Sequence, residues 1–177
     1  MTITINGNGT VTGISVGGLP DGIVDNDMLA SNAATKIIQI QTASQQGVHN
    51  TTSTDFTNTN IVDSITPSSA SHYIFGTAQA MVLFTNPTNG EAQWRVTREI
   101  SGGSQTALDT EVWSGLAHSG GAGHGGQAFM PMTFSWCDHP NTTSAVEYRL
   151  QNRTTSSSST VYTNRLQYIT LMEAIVG

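Results

Sequence analysis

Apolar and polar side chains alternate with period two along most of this chain, beginning at Lys36. Ile38 and Ile40 alternate with Gln39 and Gln41, the mark of a strand with two unlike faces. The runs Thr51-Thr52-Ser53-Thr54-Asp55-Phe56 and Ile61-Val62-Asp63-Ser64-Ile65 continue it and end in the turn chemistry of Pro67-Ser68-Ser69. From His72 to Phe84 a long strand is predicted with Ile74, Ala78, Ala80, Val82 and Phe84 on one face, closed by Asn86-Pro87-Thr88-Asn89-Gly90. Trp94, Val96 and Ile100 alternate with Arg95, Thr97 and Glu99, and Met130, Met132, Phe134 and Trp136 with Pro131, Thr133 and Ser135. Near the C-terminus, Ala145, Tyr148 and Leu150 stand against charged Glu147 and Arg149, and β-branched and aromatic residues run from Tyr162 to Ile175. These two segments read as the closing hairpin of a sandwich. About eight strands with turns between them predict an all-β domain over residues 36–177, an antiparallel β-sandwich of jelly-roll type.

Residues 1–35 follow a different pattern. Ile3, Ile5, Val11, Ile14 and Val16 are set among Gly and Thr, and Leu19 opens the turn Leu19-Pro20-Asp21-Gly22. Strands this short cannot bury themselves alone and gain partners from other copies or a neighbouring protein. The segment is therefore expected to be an extended arm that anchors the head and helps it trimerise. Asp25 to Ala34 places acidic capping residues before a run of good helix formers, which predicts one or two helical turns as a connector.

Composition narrows the function classes. Charged residues make up only 10% of the 177, far below the roughly 25% of ordinary soluble domains. Ser, Thr, Asn and Gly fill the difference, which suits an extracellular or particle-borne β protein. One Lys and five Arg against twelve acids give a net charge of −6, which disfavours binding to a phosphate backbone, so no nucleic-acid partner is expected. No apolar run is long enough to cross a bilayer, so no membrane insertion is expected, and no basic-then-apolar leader opens the chain. Cys137 stands alone, which rules out an internal disulfide. Its place at the end of an apolar strand predicts a buried thiol. Four Asn-x-Thr tripeptides, beginning at Asn8, Asn50, Asn141 and Asn152, follow from the abundance of Asn and Thr.

Several patterns imitate chemistry and fail on context. Gly121-Ala122-Gly123-His124-Gly125-Gly126 has dinucleotide-loop spacing but is followed by a Met- and aromatic-rich strand, where that fingerprint needs a helix. Gly13-Ile14-Ser15-Val16-Gly17 has nucleophile-elbow spacing without the helix or the preceding sheet. His118 and His124 share a Gly-rich loop and are the candidate ligand-contacting residues. With no nearby carboxylate or thiol they make a poor metal site, and neither metal nor cofactor is expected. The acids fall at alternating surface positions or in turns, so no carboxylate pair is set up for glycan hydrolysis and no enzyme is expected.

Three stretches carry a family resemblance: the turn Ile65-Thr66-Pro67-Ser68-Ser69, the segment from Asp138-His139-Pro140-Asn141-Thr142-Thr143 to Leu150, and the ending Ile169-Thr170-Leu171-Met172-Glu173. Together with Ser53-Thr54-Asp55-Phe56 and Gly13 to Gly22, they resemble the C-terminal domain of bacteriophage fibre and other virion structural proteins. His139 departs from that pattern, where a small residue is usual. The resemblance implies homotrimers of jelly-roll heads, distantly like the tumour-necrosis-factor and complement C1q heads, in tail fibres or on capsid surfaces. The side chains agree with such assembly, because three Trp, five Phe and six Met exceed what one small sandwich needs and leave an apolar strand face to pack against symmetry mates.

Two functions fit. One is a structural protein of the virion surface, a short fibre or cement-like capsid decoration whose arm (Ile3, Ile5, Val11, Ile14, Val16, Leu19) joins other capsid or tail proteins. The other is a receptor-binding fibre tip whose loops 118–126 and 154–160 contact host surface glycan. A long fibre needs a shaft, and only a few residues separate the arm from the first head strand, which favours the first.

Overall fold

The computed structural model describes residues 4–5, 11–12, 36–85, 91–108, 113–117 and 127–176. The chain divides into two units, Met1–Ala34 with Gly177, and Thr35–Val176. In the first, β1 (Thr4–Ile5) and β2 (Val11–Thr12) pair antiparallel, with Ile5 opposite Val11. Ile3, Ile14, Val16, Leu19 and the predicted connector at 25–34 lie outside the described residues, as do His118 and His124.

The second unit is all β among the described residues. Its strands are β3 (Lys36–Gln45), β4 (His49–Thr51), β5 (Thr57–Ile65), β6 (Tyr73–Thr85), β7 (Glu91–Ile100), β8 (Thr106–Ala107), β9 (Trp113–Ala117), β10 (Gln127–Asp138), β11 (Val146–Thr154) and β12 (Thr160–Ile175). One sheet runs β10-β6-β12-β3 with β4 also on β12, and the other β5-β11-β7-β8 with β9 also on β7. Both are antiparallel throughout.

The pairing is nested. β3 pairs with β12, β5 with β11, β6 with β10 and β7 with β9, so the outermost strands along the chain meet first and the innermost last. A long hairpin wrapped over itself in this way is the jelly roll, and the predicted sandwich stands. Rings cross from sheet to sheet to close the core: Trp94 meets Phe134 at 5.9 Å between centroids, and Trp136 meets Tyr148 at 5.9 Å. Ile74, Ala78, Ala80, Val82 and Phe84 all point into this core, as their alternation predicts. Each large side chain buried there contributes about 1.5–3 kcal/mol.

Two expectations are corrected, and the facing of β3 is fixed. β11 and β12 are not a hairpin: β11 bonds to β5 and β7 while β12 bonds to β3 and β6, so the two strands belong to opposite sheets. In β11 the inward series is Val146, Tyr148 and Leu150, and Ala145 before it is exposed. In β3 the alternation is real, and the glutamine series faces Glu173 while Ile40 faces outward. Ile40 lies opposite Met172 on the outer face and is 55% exposed, while Gln39 lies opposite buried Glu173.

Turn chemistry fixes two connections. Between β7 and β8, Ser101 and Gly102 both take positive φ, and the Gly103 N–H bonds Ile100 O at 3.0 Å, the type I′ geometry that matches strand twist. Between β10 and β11, Asn141 adopts φ 54°, a conformation Asn tolerates, and the Ser144 N–H bonds Thr142 Oγ1 at 3.0 Å. The resemblant Asp138-to-Thr143 stretch is thus a built turn. His139, its departure from the family pattern, stacks on Tyr73 at 4.5 Å.

Candidate functional site

Inward positions of a strand normally carry apolar groups, yet β12 sends Ile169, Leu171 and then Glu173 inward, and the Glu173 side chain is fully buried. A carboxylate there demands donors. Ser68 supplies two, its N–H and its hydroxyl, each at 2.7 Å from Oε1; His72 Nδ1 lies 2.6 Å from the same oxygen, and Gln39 Nε2 donates to Oε2 at 2.5 Å. Burial is the largest influence on this carboxyl and pushes its pKa up. The bonds from His72, Ser68 and Gln39 together outweigh it and hold the group down at about 2. The carboxylate therefore pins the loop after β5 and the edge strand β3 to the last strand.

Ser68, His72 and Glu173 form no nucleophilic triad. A triad needs the hydroxyl to donate to an imidazole nitrogen that accepts. Here a carboxylate can only accept, so His72 Nδ1 carries its proton towards Glu173, and Ser68 donates to that same oxygen. The Ser68–His72 separation of 3.3 Å is a by-product of two donors sharing one acceptor.

A second lock flanks the first. Ile74 on β6 lies between Asp138 on β10 and Glu173 on β12. Arg98 Nη1 donates to both Asp138 oxygens, at 2.8 and 2.9 Å, and the Tyr148 hydroxyl donates to Oδ2 at 2.7 Å. Burial, then the bond to Asp138, pushes the Tyr148 phenol well above its ordinary range. Arg98 thus fills the inward position between Val96 and Ile100 on β7 as the partner of an acid from the opposite sheet. The expectation that acids sit at surface positions fails at Asp138 and Glu173. The family-like segments have a physical meaning: Ser68, Asp138, Tyr148 and Glu173 all belong to these two locks.

The outer face of the β10-β6-β12-β3 sheet is the candidate interaction surface. In register across it run Cys137, Phe75, Met172 and Ile40, and one step nearer the sandwich end Tyr73, Ala174 and Ile37. Ile37 is 54% exposed, and Cys137 is exposed as well, which corrects its predicted burial. The period-two rule assigns Cys137 to the face opposite Trp136 and Phe134, and that face is the outer one. On the other side of this apolar band come Ser135, Thr77, Thr170 and Thr42, then Thr133, Gln79, Tyr168 and Ser44. Two shallow grooves lie there. One, of about 380 Å³, is lined by Thr42, Thr77, Gln79, Tyr168, Ile169 and Thr170. The other, of about 200 Å³, shares Gln79 and Tyr168 and continues over Met81, Pro131 and Thr133.

The opposite sheet presents a polar outer face. Arg95 and Arg153 lie 4.2 and 4.6 Å from the Phe56 ring centroid, their Nε atoms bonded to Gln151 and Gln93. Among the described residues no three of His, Cys, Asp and Glu come together as a metal site.

No protein-family model matches the chain, and no curated protein matches it. Among solved structures it is similar to a chain in the structure of infectious bursal disease virus, Gx strain, at 15% identity and a TM-score of 0.36, covering 88% of this chain and 42% of that one. A chain from the Gt strain is similar at 12% identity and a TM-score of 0.34, with the same coverage of 88% and 42%. This chain therefore spans less than half the length of either. Both likenesses are loose, and the jelly-roll assignment rests on the strand pairing of this chain.

Proposed function

We propose that this chain is a structural protein of the bacteriophage virion surface, a trimeric short fibre or capsid-decorating protein that attaches through residues 1–35. The outer face of the β10-β6-β12-β3 sheet carries the proposal. Cys137, Phe75, Met172 and Ile40 form an unbroken apolar row across it, and Ile37 adds a further exposed group. A head that stayed single would leave this band in water, whereas packing against sister subunits buries it. The resemblance to fibre and virion structural proteins supports the same role, as does a surface poor in charge and rich in Ser, Thr and Asn. The part proposed is structural rather than catalytic, and the partners are two further copies of the chain and the capsid or tail proteins that receive the arm.

Chemical cross-linking of the purified chain tests the trimer. A three-subunit species that Ile40→Asp converts to monomer is expected, and monomer alone in the wild type would overturn it. Deleting residues 1–35 tests the arm: the head folds but no longer joins the particle, and continued incorporation of the truncated chain would contradict attachment through that segment.

A further inference from the structure

We infer that the hydroxyl-lined half of this outer face is a binding groove for a neutral saccharide, centred on Tyr168. The two grooves are contiguous, since Gln79 and Tyr168 line both, and the larger falls within the roughly 300–1,000 Å³ range of small-ligand sites. Tyr168 stands between them, 47% exposed. Its position depends on a local irregularity: β12 carries extra residues between Asn164 and Tyr168 relative to β6, and a bulge of this kind re-aims the side chain that follows it.

The lining selects the ligand. Thr42, Thr77 and Thr170 offer hydroxyls and Gln79 an amide, which together can donate to and accept from vicinal hydroxyl groups. Among the described residues, no carboxylate, ammonium, guanidinium or imidazole lines either groove, so none of these lining groups would compensate a charged ligand. An exposed phenol ring gives the apolar C–H face of a sugar ring a surface to pack on. Beyond Tyr168, Met81 and Pro131 make the second groove more apolar, which suits a second ring lying flat. The geometry thus fits at least a disaccharide straddling Tyr168. The inference rests on the virion-surface role only for the source of that saccharide, a host envelope.

Saturation-transfer NMR on the full chain tests it with maltotriose, cellotriose and tri-N-acetylchitotriose, and with trigalacturonate as a charged control. At least one neutral trisaccharide is expected to receive saturation and trigalacturonate none. Tyr168→Ala should weaken binding about tenfold, the loss of an aromatic contact worth about 1.4 kcal/mol, while Tyr168→Phe stays within about twofold. Both positions of substitution at Tyr168 and Gln79 are exposed, so circular dichroism should show an unchanged fold, and Gln79→Ala supplies a second loss of affinity. Silence from all three neutral trisaccharides overturns the groove, as does undiminished binding by Tyr168→Ala. A change in sedimentation by Tyr168→Ala without a change in binding also overturns it, by showing a subunit contact. Labelling of virions is read separately: a chain that decorates particles but takes no saccharide sinks only the groove, and the converse sinks only the virion role.

Discussion

Replacing Glu173 by Gln keeps the shape of the side chain and removes the charge on which Ser68, His72 and Gln39 converge. The fall of the carboxyl pKa from 4.5 to about 2 corresponds, at 1.36 kcal/mol per unit, to about 3 kcal/mol. Ser68 is exposed and His72 half-buried, so solvent screens part of the network and about 2 kcal/mol is the better expectation. A carboxylate whose folded pKa is depressed stabilises the fold fully above its unfolded value and loses that contribution as the pH falls through the folded one. The window is therefore from about pH 4.5 down to about pH 2. Thermal unfolding at fixed protein concentration, so that assembly does not shift the midpoint, should place Glu173→Gln about 4–8 °C below wild type near neutral pH. The gap should close as acid protonates the wild-type carboxyl. Equal melting temperatures at neutral pH, or a gap that persists unchanged into acid, would refute the lock.

Gly76→Ala should cost about 1–3 kcal/mol in urea unfolding, because a Cβ at that inward position would overlap the Trp136 indole; wild-type stability would show that the indole moves aside freely. Asp138→Asn should cost about 2 kcal/mol by stranding Arg98, and adding Arg98→Met should restore part of it; a purely additive double variant would mean that the pair is not coupled. Partial desolvation of the Cys137 thiol at the sheet surface, and then the charge of Asp138, raises it above its ordinary pKa, so maleimide labelling of dissociated subunits should be slow near neutral pH and accelerate as the pH rises. In the trimer proposed above the same thiol should be protected, and equal labelling of both forms would remove the outer face from the proposed subunit contact.

The long strands were legible because period two is strict in them: Ile74 to Phe84 and Val146 to Leu150 each send one series into a shared core. What period two cannot give is which face is inside when both faces carry apolar groups. In β3 the isoleucine face lost to the glutamine face because Gln39 had a buried carboxylate to meet. Cys137 was misplaced for the same reason, as one more apolar residue on a strand with two usable faces. The buried acids were illegible locally, since Glu173 meets Ser68 from 105 residues away and Asp138 meets Arg98 from 40. Only the resemblance marked those stretches, and it marked them without saying that they are locks. The closing hairpin failed because adjacency in sequence gives pairing in a meander, whereas in a nested fold consecutive strands often cross to the other sheet. Gln79 and Tyr168 gave no signal at all, since the β12 bulge that sets the groove has no motif.

The central claim is that this chain sits on the surface of a phage particle, and immunogold electron microscopy of intact virions, with an antibody against residues 36–177, tests it most directly. The account predicts gold on the outside of the particle, spread over the capsid for a decoration or gathered at the tail for a short fibre. Virions that carry no label, while the antibody detects the chain free in the same lysate, would contradict it.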